Sequence, residues 1–178
     1  MICGIKRVGF SGKPNFPDNV RIGKFFIPNI LYIDDNPRLI EGVELRKLPI
    51  HSDDRGYLIE LVKEQSTETM CYISRTNVGM ARDEKMWHRH KLQTDRFSFL
   101  AGSCIFAISD GVTTQKIYIT CEDNIQLIIP PLVYHAFLSC SQGFTLINNP
   151  TKLYNPLDEL RISFLDILAD PPWQIQST

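Results

Sequence analysis

The stretch WHRHKLQTDRFSFLAG, Trp87 to Gly102, decides how the chain is read. Two histidines stand two residues apart, an aspartate follows, and an apolar run leads to a glycine. Side chains of a β-strand alternate between faces, so His88 and His90 point the same way, about 6–7 Å apart along the strand. The segment Lys91 to Thr94 then returns the chain so that Asp95 can face the same cavity. Histidine is otherwise scarce, with only His51 and His135 elsewhere. His135 comes after the run IIPPLVY, on a strand that a folded sheet can bring alongside. Three imidazoles and a carboxylate suit a divalent transition metal such as Zn, Fe, Mn or Ni, held by His88, His90, Asp95 and His135. A general base with polar helpers is the second reading of the stretch, and the solvated face of a strand is the third.

Outward from this stretch the text keeps one rhythm. The runs YLIELVK, MCYISRT, RFSFLAG, SCIFAIS, KIYIT, IQLIIP, YHAFLSC, GFTLINN and ELRISFL are each of strand length, and several are rich in Ile, Tyr, Phe or Thr. Turn-forming residues divide them: AGS, SDGVTTQ, CEDN, SCSQG and NNPTKLYNP. In KIYIT, Lys116, Tyr118 and Thr120 share one face while Ile117 and Ile119 share the other. SCIFAIS is apolar on both faces, as in the interior of a sandwich. Many strands without intervening helices predict an all-β fold, with a jelly roll (double-stranded β-helix) as the leading architecture. Ahead of these runs lie Pro14, Pro17, Pro28, Pro37 and Pro49, which leave little room for a helix. Residues 1–38 read as an extended N-terminal arm with one or two short strands, and 39–178 as the jelly-roll domain.

The 178 residues suit a single domain with a proper core. A hydrophobic fraction of 43% with 22% charged residues reads as soluble and globular. The net charge of -1 gives no general pull toward nucleic acid or an anionic membrane, so neither is an expected partner. The basic residues Lys6, Arg7, Lys13, Arg21 and Lys24 read as a solvated arm, or as a docking patch for an anionic ligand. No apolar run approaches a membrane span, and Lys6 and Arg7 interrupt the opening MICGIKRVGF, leaving no signal-peptide core. Five cysteines without C-x-x-C spacing imply a reducing cytoplasm with free, buried thiols.

The motif spacing also carries a resemblance. H-x-H, four residues, an acid, six residues and Gly102 resembles the first motif of the cupin superfamily. Pro130 to His135 is similar to the second, P-x-G-x-x-H, with Leu132 in place of the glycine. More narrowly, the chain resembles the dTDP-4-dehydrorhamnose 3,5-epimerase family in LIEGVELRKLPIHSDDRGYLIEL, WHRHKLQTDRFSFLAG, IIPPLVYHAF and NNPTKLYNPLDELRISF. These segments span about residues 39 to 173. The resemblance implies a cupin-type jelly roll that epimerises a dTDP-4-keto-6-deoxy sugar by taking and returning α-protons, with no cofactor required. It implies His88 as the base and Tyr154, before Asn155-Pro156, as the acid. Arg55 of D-x-R-G would hold the pyrophosphate, and Glu60, Lys85, Gln93 and His135 would bind substrate. It implies a homodimer, with the arm exchanged between subunits.

Three departures mark this chain. Asp95 stands where the family keeps a lysine, His90 replaces the glutamine of H-x-Q, and the segment carrying the aspartate behind the base histidine is expected to be missing, since the sequence stops soon after Trp173. A bare carboxylate repels an enolate that a lysine would stabilise. A divalent cation on His88, His90, Asp95 and His135 would offset that charge and act as the electrophile, leaving Tyr154 or Glu60 as base. A metal-dependent cupin of other chemistry and a non-catalytic sugar-nucleotide-binding cupin are the alternatives.

Overall fold

The computed structural model describes residues 19–54, 56–62 and 70–176. Its strands condense into two main sheets. One runs β4 (Glu44–Lys47), β13 (Ile125–Ile129), β10 (Asp95–Ala101), β15 (Phe144–Asn148), β7 (Tyr72–Thr76), with every pair antiparallel. The other runs β16 (Glu159–Ser163), β9 (Met86–His90), β14 (Tyr134–Ser139), β11 (Ser103–Ser109), β12 (Thr114–Thr120), β3 (Ile30–Tyr32), and the short β8 (Ala81–Arg82) also pairs with β14. Neighbours such as β4 and β13, or β16 and β9, are remote in sequence, which is the crossover pattern of a jelly roll. No α-helix forms among the described residues, only single-turn 3-10 segments, and no helix is long and apolar enough to cross a membrane.

Alternation builds the core directly. Phe97 and Phe99 of β10, Phe106 and Ile108 of β11, Ile117 and Ile119 of β12, Leu127 and Ile129 of β13 and Phe144 of β15 form one cluster of buried side chains. The other face of the β3–β16 sheet is buried as well. Trp87, Ile105, Ala107, Tyr134 and Leu138 cluster with Phe25, Ile27, Ile30, Phe164 and Trp173. SCIFAIS is therefore apolar on both faces because a second layer covers it: all seven of its residues are buried. Even Lys116, on the polar face of KIYIT, lies under that layer, and burial lowers its pKa although the charge of Asp170 opposes this.

The covering layer comes from strands near both ends of the described residues. β1 (Val20–Ile22), β2 (Phe25–Ile27) and β17 (Gln174–Ile175) form a small sheet, and β3 adds to β12 in parallel. The stretch between residues 19 and 38 thus holds three short strands, rather than one or two, packed on the domain. Prolines exclude helix but leave strands whose partners supply the hydrogen bonds. The last two strands, β5 (Ile50–Asp53) and β6 (Gly56–Ile59), form a sheet of their own among the described residues. The expectation of buried thiols holds for Cys104 but not for Cys71, which is exposed at the start of the β7 edge.

Candidate active site

Three strands aim their inward faces at one end of the barrel. β9 contributes His88 and His90, β10 contributes Asp95, and β14 contributes His135. His135 lies directly opposite His88 in the β14–β9 ladder, with the rings stacked at 4.9 Å between centroids. These groups line a cavity of about 330 Å³ between the two sheets. Phe97, Phe137 and Leu146 form its apolar wall, and the exposed Arg75, Arg82 and Arg161 rim it with positive charge. That size and mixed lining suit a small polar ligand.

Asp95 is only 2% exposed and fully engaged. Its Oδ1 accepts hydrogen bonds from Gln93 Nε2 and Asn148 Nδ2, each at 2.8 Å. Its Oδ2 lies 3.4 Å from His135 Nε2 and 3.6 Å from His90 Nε2. His88 Nε2 and His90 Nε2 are 2.9 Å apart, so one proton lies between them, and Gln93 Nε2 is 3.0 Å from the same His90 nitrogen. On their outer sides both rings meet carboxylates. His90 Nδ1 lies 3.3 Å from Asp158 Oδ2, and His88 Nδ1 lies 3.8 Å from Asp83 Oδ2. Asp158 also accepts the backbone N–H groups of Leu92 at 2.8 Å and Gln93 at 3.3 Å, which secures the loop between β9 and β10. The histidines therefore do have aspartates behind them. The fold draws Asp83 from the turn before β9 and Asp158 from the approach to β16, by proximity that no local spacing announces.

Burial sets the charge states of the cavity. Desolvation pushes the His135 pKa down to about 4 against the opposing pull of Asp95, so this ring is neutral near pH 7. Tyr72 lines the same cavity from the facing sheet, and its hydroxyl accepts a hydrogen bond from the buried Asn148 at 2.9 Å. Desolvation, ahead of the charge of Asp95, raises its pKa above the ordinary value of 10.0. Burial alone would raise the Asp83 carboxyl, but His88 and Arg161 together bring it below the usual range.

The metal expectation meets a different arrangement. Among the described residues no three His, Cys, Asp or Glu donors are grouped so as to hold an ion. The two Nε2 atoms that would face a cation face each other, and Gln93 and Asn148 occupy one oxygen of Asp95. His88, His90, Asp95 and His135 form a hydrogen-bonded network in this arrangement.

Of the remaining expected residues, Gln93 lies buried behind the cavity, holding His90 and Asp95. Glu60, Lys85 and Tyr154 are exposed and are not among its walls. Tyr154 stands near enough to Arg161 for its charge to act there. Arg55 lies outside the described residues. Sequence reasoning passed over Tyr72, Arg75, Arg82, Asp83, Asn148, Asp158 and Arg161. The alternation of MCYISRT singles out no polar face as functional, and isolated acids and arginines carry no motif.

No family model matches the chain. A curated relative, described as "Probable low-salt glycan biosynthesis epimerase Agl13" of Haloferax volcanii, is 32% identical over 153 residues, spanning 77% of this chain and 96% of its own. Among solved structures, ChmJ, a 3'-monoepimerase from Streptomyces bikiniensis in complex with dTDP-quinovose, superposes with a TM-score of 0.63 at 21% identity, over 73% of this chain and 74% of that one. WlaRB, a TDP-quinovose 3,4-ketoisomerase from Campylobacter jejuni, gives a TM-score of 0.63 at 23% identity, over 72% of this chain and 98% of that one. At those identities the two structures show a shared fold.

Proposed function

Since the chain belongs to the dTDP-4-dehydrorhamnose 3,5-epimerase-like family of cupins, we propose that it epimerises a dTDP-4-keto-6-deoxy sugar by removing and returning a proton beside the ketone. The observation that carries this reading is the placement of proton-transfer groups on opposite sides of one cavity: His88 on β9 in one sheet, Tyr72 on β7 in the other. Inversion needs a base on one face of the sugar and an acid on the other. His88 takes the α-proton, and Tyr72, protonated at neutral pH and more so with its pKa raised, returns one from the facing sheet. Tyr72 thus takes the part that the resemblance gave to Tyr154.

Enolate stabilisation falls to the network behind the base. The charge of Asp95 is spread over hydrogen bonds from Gln93 and Asn148 and over His90 and His135, so it does not face the substrate bare. Arg75 and Arg82 at the rim suit the diphosphate, as guanidinium forks match phosphate oxygens.

A second reading, 3,4-ketoisomerisation, is favoured by His90. Moving a ketone to the adjacent carbon transfers both a C–H and an O–H proton, and two imidazoles 2.9 Å apart supply a group for each. Incubation with dTDP-4-keto-6-deoxyglucose in heavy water, with and without chelator, separates these outcomes. Deuterium at a carbon beside the ketone with an inverted centre supports epimerisation, and a product with the ketone at C3 supports isomerisation. Activity lost with chelator restores the metal reading. No exchange in either arm leaves a non-catalytic binder.

The homodimer and the cytoplasmic setting belong to the same proposal. Among the described residues the β5–β6 hairpin forms a two-stranded sheet of its own and exposes Ile50, Tyr57 and Leu58, and a two-stranded sheet is marginal in water. A second copy of the chain covering it resolves this. Light scattering on Leu58→Asp then shows a shift from dimer to monomer, and an unchanged mass removes the hairpin from the interface.

A further inference from the structure

Asn148 is the last residue of β15, only 1% exposed, and every polar atom of its side chain is engaged. Its Oδ1 accepts the backbone N–H of Arg96 at 3.0 Å, a group that can only donate. That bond fixes which end of the amide is oxygen. The nitrogen is thereby turned the other way, where Nδ2 donates to Asp95 Oδ1 at 2.8 Å and to the Tyr72 hydroxyl at 2.9 Å. Register brings the last pair together. Asn148 lies directly opposite Tyr72 in the β15–β7 ladder, so the two side chains leave the sheet on one face as neighbours. Tyr72 itself is 43% exposed on β7, the outermost strand of its sheet among the described residues, so packing alone leaves its ring room to turn outward.

We propose that Asn148 is the positioning residue of Tyr72: its amide, fixed by Arg96 and Asp95, holds the phenolic oxygen and turns the hydroxyl proton into the cavity. This rests on Tyr72 as the acid of the proposed reaction. A purely structural amide at this place would need only Arg96 and Asp95, which join β15 to β10. The second N–H goes instead to the phenol on the neighbouring strand. An amide nitrogen donates and offers no acceptor for the phenolic proton. The O–H therefore points off the amide, on the side where Tyr72 lines the cavity. The same bond favours the transfer itself. When Tyr72 gives its proton to the α-carbon its oxygen becomes a phenolate, and a hydrogen bond to an ionised acceptor is roughly twice as strong as one to a neutral group. Asn148 therefore stabilises the state after proton return more than the state before it, which is the condition for accelerating the step. Asp95 takes part at one remove, because by accepting the other N–H it keeps the amide in that plane.

Asn148→Ser removes the amide while Gln93 still donates to Asp95 Oδ1, and Asn148→Thr is the second variant, better suited to a strand should serine not fold. Each is compared with wild type and is also made in the Tyr72→Phe background. Two rates are followed with dTDP-4-keto-6-deoxyglucose in heavy water: deuterium entry at the carbon beside the ketone, and turnover to the inverted product. The 13Cζ signal of Tyr72, assigned by its loss in Tyr72→Phe, is read without substrate. Asn148→Ser is expected to keep deuterium entry within about threefold of wild type while turnover falls by about ten- to a hundredfold, the cost of a misplaced group. The Cζ signal moves, and in Tyr72→Phe the substitution lowers turnover no further. A merely structural amide would lower exchange and turnover together, in both backgrounds. That result overturns the proposal, as does wild-type turnover in the variant or an unmoved Cζ signal. A wild type that neither exchanges nor turns over counts against the epimerase reading, while the Cζ comparison still decides whether Asn148 holds the phenol.

Discussion

Tyr72 and His88 stand on facing sheets, so each half of the proton transfer can be removed separately. With Tyr72→Phe the base remains while the returning acid is gone. Deuterium from solvent still enters at the α-carbon, whereas turnover to the inverted product falls by about 10²–10⁴-fold, the usual worth of a positioned acid. Mass and NMR analysis of recovered substrate and product checks both halves. His135 gives a prediction for stability. Its folded pKa of about 4 lies below the ordinary 6.5, so the unfolded chain binds the extra proton first as pH falls. The stability tied to its neutral form is whole above about pH 6.5 and is lost progressively toward pH 4. Denaturant unfolding at a series of pH values should show wild type losing more across that window than His135→Gln, which cannot protonate. Residue identities at the site were partly legible. H-x-H and His135 stood out because histidine is scarce, but Tyr72, Asp83 and Asp158 are ordinary residues until the fold sets them beside the imidazoles.

At the scale of elements, the turn between β10 and β11 depends on Gly102. Its φ is +73°, and a Cβ there would lie 2.2 Å from Ser141 Oγ and 3.2 Å from Phe144 Cα. Gly102→Ala should therefore cost about 2 kcal/mol, the left-handed penalty plus displacement of the Ser141 hydroxyl, measured as a lowered denaturation midpoint. Leu132 presents the opposite case. It holds φ of +70° at the position where the resembled motif has glycine, and its side chain is 56% exposed. Leu132→Gly loses little burial and relieves the strained backbone, so stability should hold or rise by up to ~1 kcal/mol. The strands β9 to β16, and β7 before them, were readable because each has enough residues for a period of two and a turn at either end. β1, β2, β3, β8 and β17 have two or three residues each, too few to show a period. Their existence is decided by the edge or layer they pair with.

For the molecule as a whole, strands near both ends of the described residues are structural members of one layer. Trp173 stacks edge-on with Phe25 at 6.0 Å and Phe164 at 5.5 Å, and its indole N–H donates to the Glu84 carbonyl at 3.0 Å. Trp173→Ala should destabilise by about 3–5 kcal/mol in denaturant unfolding, as for other buried aromatics. It should also disturb β9, since Trp87 packs on Phe164 at 5.0 Å. The outer layer thereby supports the strand that carries His88 and His90.

The sequence by itself determined the all-β class, most strand positions from residue 70 onward, and the convergence of His88, His90, Asp95 and His135 on one cavity. Those follow from alternation, turn chemistry and motif order, all of which act over a few residues. Only the tertiary structure decided that the apolar outer face is covered from both ends of the described residues, that Asp95 is held by Gln93 and Asn148, and that the tyrosine in the cavity is Tyr72. The same holds for the aspartates behind the histidines. Most of these pairings join residues tens of positions apart, and they are set by cross-strand register and by burial.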